Sequence, residues 1–332
     1  MMETARYAAS DGFAVDSPAT EPQRRTVRVL LAGMALVAAL PLALAIGTSG
    51  ATRHAAEAWR GPIDLLEPEM ALVPEAVEKV TRVSLAAAGE LYALFVERGY
   101  QLDEAKRGAD AVPRMVVERL PRDLASLEST DLRKAVFIKS LLPLLLLENE
   151  RILADRARLE RIFADRAQGT MPSIADSVFL DEIAERYDVD TDRVRDTLRK
   201  VDAVPVSLAL AQAALETGWG TSRPAQAGHA LFGQMVYRDA ADDDGRVRRF
   251  DDLPGAVAAY ALNLNTHRAY AEFRRARERA AAEGKPADGH ALAQHLQRYS
   301  ERRMDYVRDV RSVMRANGLR ALDRARLDAE PG

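Results

Sequence analysis

Glu216 ends an alanine-rich apolar segment, and Gly218, Trp219 and Gly220 follow it after Thr217. Leu208, Ala211, Gln212 and Leu215 recur at helical spacing, so the segment reads as a helix opened by Pro205 and stopped by the two glycines. Glu216 then falls in the last turn, where the partial negative charge of a helix C-terminus disfavours a carboxylate and raises its pKa. A carboxyl group that holds its proton near neutral pH, beside an aromatic ring, is what a general acid requires. The competing reading is a solvated glutamate at a helix end with Trp219 in the core.

Other chemistries find less support. Thr221 and Ser222 are the hydroxyls nearest Glu216, but neither lies in a Gly-x-Ser-x-Gly elbow or has a histidine at readable spacing. The histidines, at 54, 229, 267, 290 and 295, form no His-Glu-x-x-His pattern, so no metal site is expected, and phosphate-cradling glycine loops are absent. The chain has no cysteine, which removes thiol catalysis and disulfides. A net charge of −3 over 332 residues makes no case for nucleic-acid binding.

The elements that must position Glu216 are mostly helical. Residues 1–23 read as a disordered cytoplasmic tail. Arg24, Arg25 and Arg28 precede an apolar run from Val29 to Ile46, long enough to span a membrane, so residues 24–47 read as a signal anchor. Ala43 to Ala45 also fits a cleavage site, which would make the segment a signal peptide. Either way the remainder is expected to be extracytoplasmic, held at the inner membrane or released to the periplasm. Residues 48–75 carry the proline punctuation of a linker.

Residues 76–170 read as a helical region, with one amphipathic helix over Ala76 to Tyr100 and a longer one over Asp131 to Arg166 that Pro143 should kink. The charge run from Glu148 to Arg166 reads as a solvated helix face. Two short helices, Phe179 to Tyr187 and Thr191 to Val201, precede the Glu216 helix, the second capped by Asp190 or Thr191. Leu231 to Tyr237 and Arg246 to Phe250 read as two strands of a hairpin turned near Asp244 and Gly245. Helices follow over Leu253 to Thr266, from Asp288, and from Arg302 to Gly318, and a charged tail, 321–332, is expected to fray.

The run from Leu210 to Ser222, with Leu231, Phe232 and Gly233 after it, resembles the signature of the bacterial cell-wall glucosaminidases, and within them the Bax subfamily. The likeness continues through Arg249 to Asp252, Tyr260 to Tyr270, Gly289 to Ala293 and Tyr299 to Arg302, and upstream through Lys139 to Glu150 and Arg199 to Asp202. It covers the chain from near Arg114 to near Leu319. It implies a peptidoglycan hydrolase with a mainly α, lysozyme-like fold (α+β with a small β-hairpin lobe) over residues 171–320 and additional N-terminal helices. No cofactor is implied, and the implied partner is the glycan strand.

By the same resemblance Glu216 matches the catalytic glutamate, while Trp219, Gly220 and Ser222 match the turn that shapes the cleft. Phe232 and Gly233 match the start of the hairpin lobe, Gln234 the polar residue after it, and Tyr270 a tyrosine lining the groove. Ala230 replaces an asparagine common in the family. The second group of the reaction is open: an aspartate on the hairpin, with Asp239 chosen over Asp242, Asp243 and Asp244, or the sugar's own acetamido group oriented by Tyr270. Trp219 and Phe232 could stack on sugar faces. The expected activity is endo-β-N-acetylglucosaminidase. The alternatives are a lytic transglycosylase on the same substrate and a non-catalytic glycan-binding envelope protein.

Overall fold

The computed structural model describes residues 80–108, 110–236 and 246–329. The tail, the apolar run from Val29 to Ile46 and the linker up to residue 75 lie outside these residues, as do Asp239 and Asp242 to Asp244. Among the described residues no helix is long and apolar enough to cross a membrane.

The described chain is mainly helical with three two-stranded β pairs, in line with the expected class. It opens with β1 (Thr81–Val83), α1 (Ala88–Glu97), α2 (Leu102–Arg107), β2 (Asp110–Val112) and β3 (Met115–Val117). The 38-residue α3 (Thr130–Ala167) follows, then α4 (Ile174–Tyr187) and α5 (Val194–Lys200). Next come α6 (Val206–Thr217), α7 (Arg223–Gly228), β4 (Met235–Val236) and β5 (Arg246–Val247). The last part holds α8 (Leu253–Thr266), α9 (Ala271–Ala282), α10 (Gly289–Leu292), α11 (Met304–Ala316) and β6 (Arg326–Leu327). β1 pairs with β3 and β2 with β6, both parallel, while β4 and β5 form the antiparallel hairpin.

The helix carrying Glu216, α6, runs through the middle of this assembly. Every residue from Val206 to Ala214 is buried, and α3, α10 and α11 pack around it. Its small side chains permit that approach: a Cβ on Gly289 of α10 would collide with the Ser207 hydroxyl. The N-terminus is held by Asp323, which accepts from the Ser207 N–H at 2.9 Å, the Ser207 hydroxyl at 2.8 Å and the Gly289 N–H at 3.0 Å. One carboxylate thus satisfies orphan donors of two helices. The loop before α6 is clamped by Asn149 of α3, whose amide donates to the Val204 carbonyl and accepts from the Val204 N–H.

Several sequence expectations need correcting. Ala76 to Tyr100 is not one helix: the described part begins with β1, which pairs with β3, and α1 starts only at Ala88. Tertiary pairing overrides a helical apolar pattern there. By contrast, the long helix expected over Asp131 to Arg166, with Pro143 inside it, forms as α3. The cap expected at Asp190 or Thr191 does not form on α5, which starts after Arg193 without a side-chain cap. The expected tail is ordered as far as residue 329. It forms a 3-10 turn over Leu319–Arg324 and the strand β6, with Leu322 and Leu327 buried and Asp323 serving as the cap just described. Its charge pattern concealed this because one buried aspartate and two leucines among many arginines suffice to dock it.

Candidate active site

Three successive residues, Gly218, Trp219 and Gly220, have φ of 58°, 62° and 81°. This left-handed turn explains why glycine flanks the tryptophan, since a left-handed position costs a side-chain-bearing residue about 1–2 kcal/mol. Thr217 locks the turn: its hydroxyl donates to the Ala213 carbonyl at 2.6 Å and accepts from the Gly220 N–H at 2.8 Å. A Cβ at Gly220 would lie 2.7 Å from Leu120 and 2.9 Å from Phe137, so the turn is also pressed against the N-terminal region. α6 therefore stops abruptly one residue after Glu216.

The Glu216 carboxyl is open to solvent on one side and walled by protein on the other. A Cβ built on Gly233, where φ is 60°, would lie 2.8 Å from Glu216 Oε2, so only glycine allows the β4 lead-in to pass this close. Partial burial raises the glutamate's pKa, and the neighbouring Tyr306 hydroxyl opposes part of that rise. No basic side chain pairs with it among the described residues. The helix-end argument predicted the direction, and desolvation is the larger cause.

Tyr306 belongs to a relay. Tyr260 donates to Gln212 Oε1 at 2.8 Å, Gln212 Nε2 donates to the Tyr306 oxygen at 2.9 Å, and the Tyr306 hydroxyl lies beside Glu216, whose charged form it favours. Gln212 and Tyr260 are fully buried. Burial, and after it the neighbouring Glu216 charge, push the Tyr306 phenol far above its ordinary pKa, so it stays a donor. In the sequence Tyr306 is one more apolar position of the helix from Arg302 to Gly318. Gln212 carried a signal, as a lone amide one turn before Glu216 on an alanine-leucine helix.

Beyond Gly233 lies a cavity of about 640 Å³, walled by Phe232, Gln234, Arg248, Asn263, Tyr270 and Tyr299 among others. Phe232 stacks on Tyr260 with ring centroids 3.9 Å apart, and Tyr299 donates to the Phe232 carbonyl at 2.8 Å. His267, Tyr270, Tyr299 and Tyr306 form a continuous aromatic row with successive centroids 5.5–5.9 Å apart. Gln234 donates to the Ala259 carbonyl at 3.2 Å, while its Oε1 is buried without a protein partner. Burial raises the Tyr270 pKa despite a hydrogen bond with Asn263. Phe232, Gln234 and Tyr270 thus line one concavity, and Glu216 lies against Gly233 of its wall.

Two expected site residues stand apart. Trp219 meets Phe137 of α3 edge-on at 5.8 Å and carries Lys134 Nζ 5.1 Å over its ring, so it packs on the long helix and does not line the cavity. Ser222 is the N-cap of α7 and accepts from the Ala225 N–H. Ala230 is buried, and the preceding His229 takes a left-handed backbone with its Nδ1 buried and unpartnered. Asp239 lies outside the described residues. Among the described residues no cluster of His, Asp or Glu could hold a metal ion.

A protonatable carboxyl at the lip of an aromatic and amide-lined cavity is the equipment of an enzyme that cuts glycans. Residues 192–319 match the family model described as "Glucosaminidase: Mannosyl-glycoprotein endo-beta-N-acetylglucosaminidase". The chain is 31% identical over 194 residues to "Protein bax" of Escherichia coli (strain K12), covering 55% of this chain and 69% of that relative. No solved structure matches it. The chain belongs to the glucosaminidase family, in its Bax-like branch. That makes it a glycosidase-type enzyme with a glycan substrate.

Proposed function

We propose that the protein is an endo-β-N-acetylglucosaminidase acting on the glycan strands of peptidoglycan, with Glu216 as general acid. The observation that carries this reading is the Glu216 carboxyl itself: raised in pKa, free of any basic partner among the described residues, and set against Gly233 at the cavity's edge. A sugar seated along Phe232 and Tyr270 would receive a proton on its departing oxygen from Glu216. The glycosyl cation that develops then needs an electron source on its other face. Asp239 is one candidate. The neutral amides and phenols of Gln234, Asn263 and Tyr270 favour the other, the substrate's acetamido group, which they are suited to orient. An extracytoplasmic location is part of this proposal, because peptidoglycan lies there.

The test is the product ends left on purified sacculi. Reducing N-acetylglucosamine ends are expected from the wild type, and Glu216→Gln should lower their release by at least about a thousandfold. Anhydromuramyl ends would instead mark a lytic transglycosylase. Sacculi left intact by the wild type, yet bound, would mark a glycan-binding protein.

A further inference from the structure

Arg248 and Arg249 are adjacent at the end of the hairpin and are used differently. Arg249 packs along Gly228 and donates to the Ala227 carbonyl at 2.7 Å. Arg248 lines the cavity. Its guanidinium lies 4.9 Å over the Phe250 ring, and its backbone N–H is tied to the Gln234 carbonyl at 2.7 Å. Many other arginines of the described chain are spent on carboxylates, such as Arg199 on Glu278 and Arg277 on Asp202. Among the described residues Arg248 meets no carboxylate, and none of those lining this cavity is a carboxylate. A stacked guanidinium keeps its fork of N–H donors in one plane, the geometry that a carboxylate accepts in pairs.

We infer that Arg248 is a carboxylate receptor inside the glycan cleft, which makes the protein select acid-bearing sugar chains over neutral ones. The inference rests on the glycosidase reading of the same cavity. Its ligand chemistry is a carboxylate held near an N-acetylated sugar. Peptidoglycan offers two: the lactyl carboxylate of muramic acid in strands stripped of peptide, and the carboxylates of the peptide where the stem is retained.

Binding separates this inference from catalysis. The full chain carrying Glu216→Gln would be titrated calorimetrically with three probes. They are a peptide-free N-acetylglucosamine–N-acetylmuramic acid tetrasaccharide, the same sugar bearing an L-Ala–D-Glu stem, and the neutral chitotetraose. Adding Arg248→Gln should weaken binding of an acidic probe about ten- to a hundredfold more than binding of chitotetraose. Arg248→Lys, which keeps the charge and loses the fork, should fall between. Whichever acidic probe shows the larger selective loss identifies the carboxylate. Equal weakening of all three probes, or no change with a folded variant, overturns the inference. Failure of the hydrolase reading is seen elsewhere, as wild-type protein that binds sacculi and releases no ends.

Discussion

Tyr306→Phe removes one oxygen from the relay and leaves the ring in place on Tyr299, where the two stack 5.5 Å apart. Three consequences follow. The phenol beside Glu216 favours its ionised form, so deleting it raises the carboxyl's pKa further above the ordinary glutamate value. The general acid must carry its proton, so the alkaline limb of kcat/KM against pH moves to higher pH. Gln212 Nε2, fully buried, loses its acceptor, and an orphaned buried donor costs about 1–3 kcal/mol of stability. The carboxyl also loses the neighbouring hydroxyl that helps orient it, for which a fall in kcat of about 10–100-fold is expected. Urea denaturation and a pH profile on peptide-free glycan measure these. Tyr260→Phe is the control: it breaks the bond to Gln212 Oε1, should cost similar stability, and should leave the limb close to its wild-type position. A Tyr306→Phe enzyme that is folded, with its alkaline limb unmoved or shifted downward, would refute the relay.

Two further perturbations probe the same carboxyl. Because Glu216's pKa is raised on folding, stability is intact below the ordinary glutamate pKa and declines as pH rises through the elevated one. Glu216→Gln should therefore melt above the wild type at pH 7, with the difference vanishing near pH 4; a gap of the opposite sign at neutral pH contradicts the assigned shift. Gly233→Ala places a methyl 2.8 Å from Glu216 Oε2 on a left-handed backbone. Activity should drop about a hundredfold through displacement of the carboxyl, with stability reduced by about 1–2 kcal/mol; near wild-type kcat from this variant would mean that the carboxyl does not rest against Gly233.

What could be read in advance divides along a physical line. α6 and its stop were readable because they are local: alanine and leucine at period 3.6, then glycines whose left-handed φ is confirmed at 58° and 81°. α8 was readable for the same reason, from a sustained apolar stripe, while its Asp252 cap is shown by the structure. The partners of Glu216 were not. Tyr306 lies 94 positions from Gln212, and its role depends on α11 crossing α6, which no window of residues encodes. Asp323 was hidden still more thoroughly, since a charged C-terminal stretch reads as solvated until its carboxylate is seen holding three donors on α6 and α10.

Trp219 shows how the same turn places an aromatic ring. Its aromatic ring beside a glutamate invites a sugar platform, yet the left-handed turn that isolates Glu216 also swings the indole onto α3. The two facts have one cause. A chain that reverses over three left-handed residues frees the last helical side chain toward the cleft only by sending the next large one the other way, against Phe137 and Lys134. The aromatic rings that line the cavity are those of Phe232, Tyr270 and Tyr299, with His267. The Gly-Trp-Gly element is thus a device for aiming the acid, and its tryptophan is the anchor against which that aim is held.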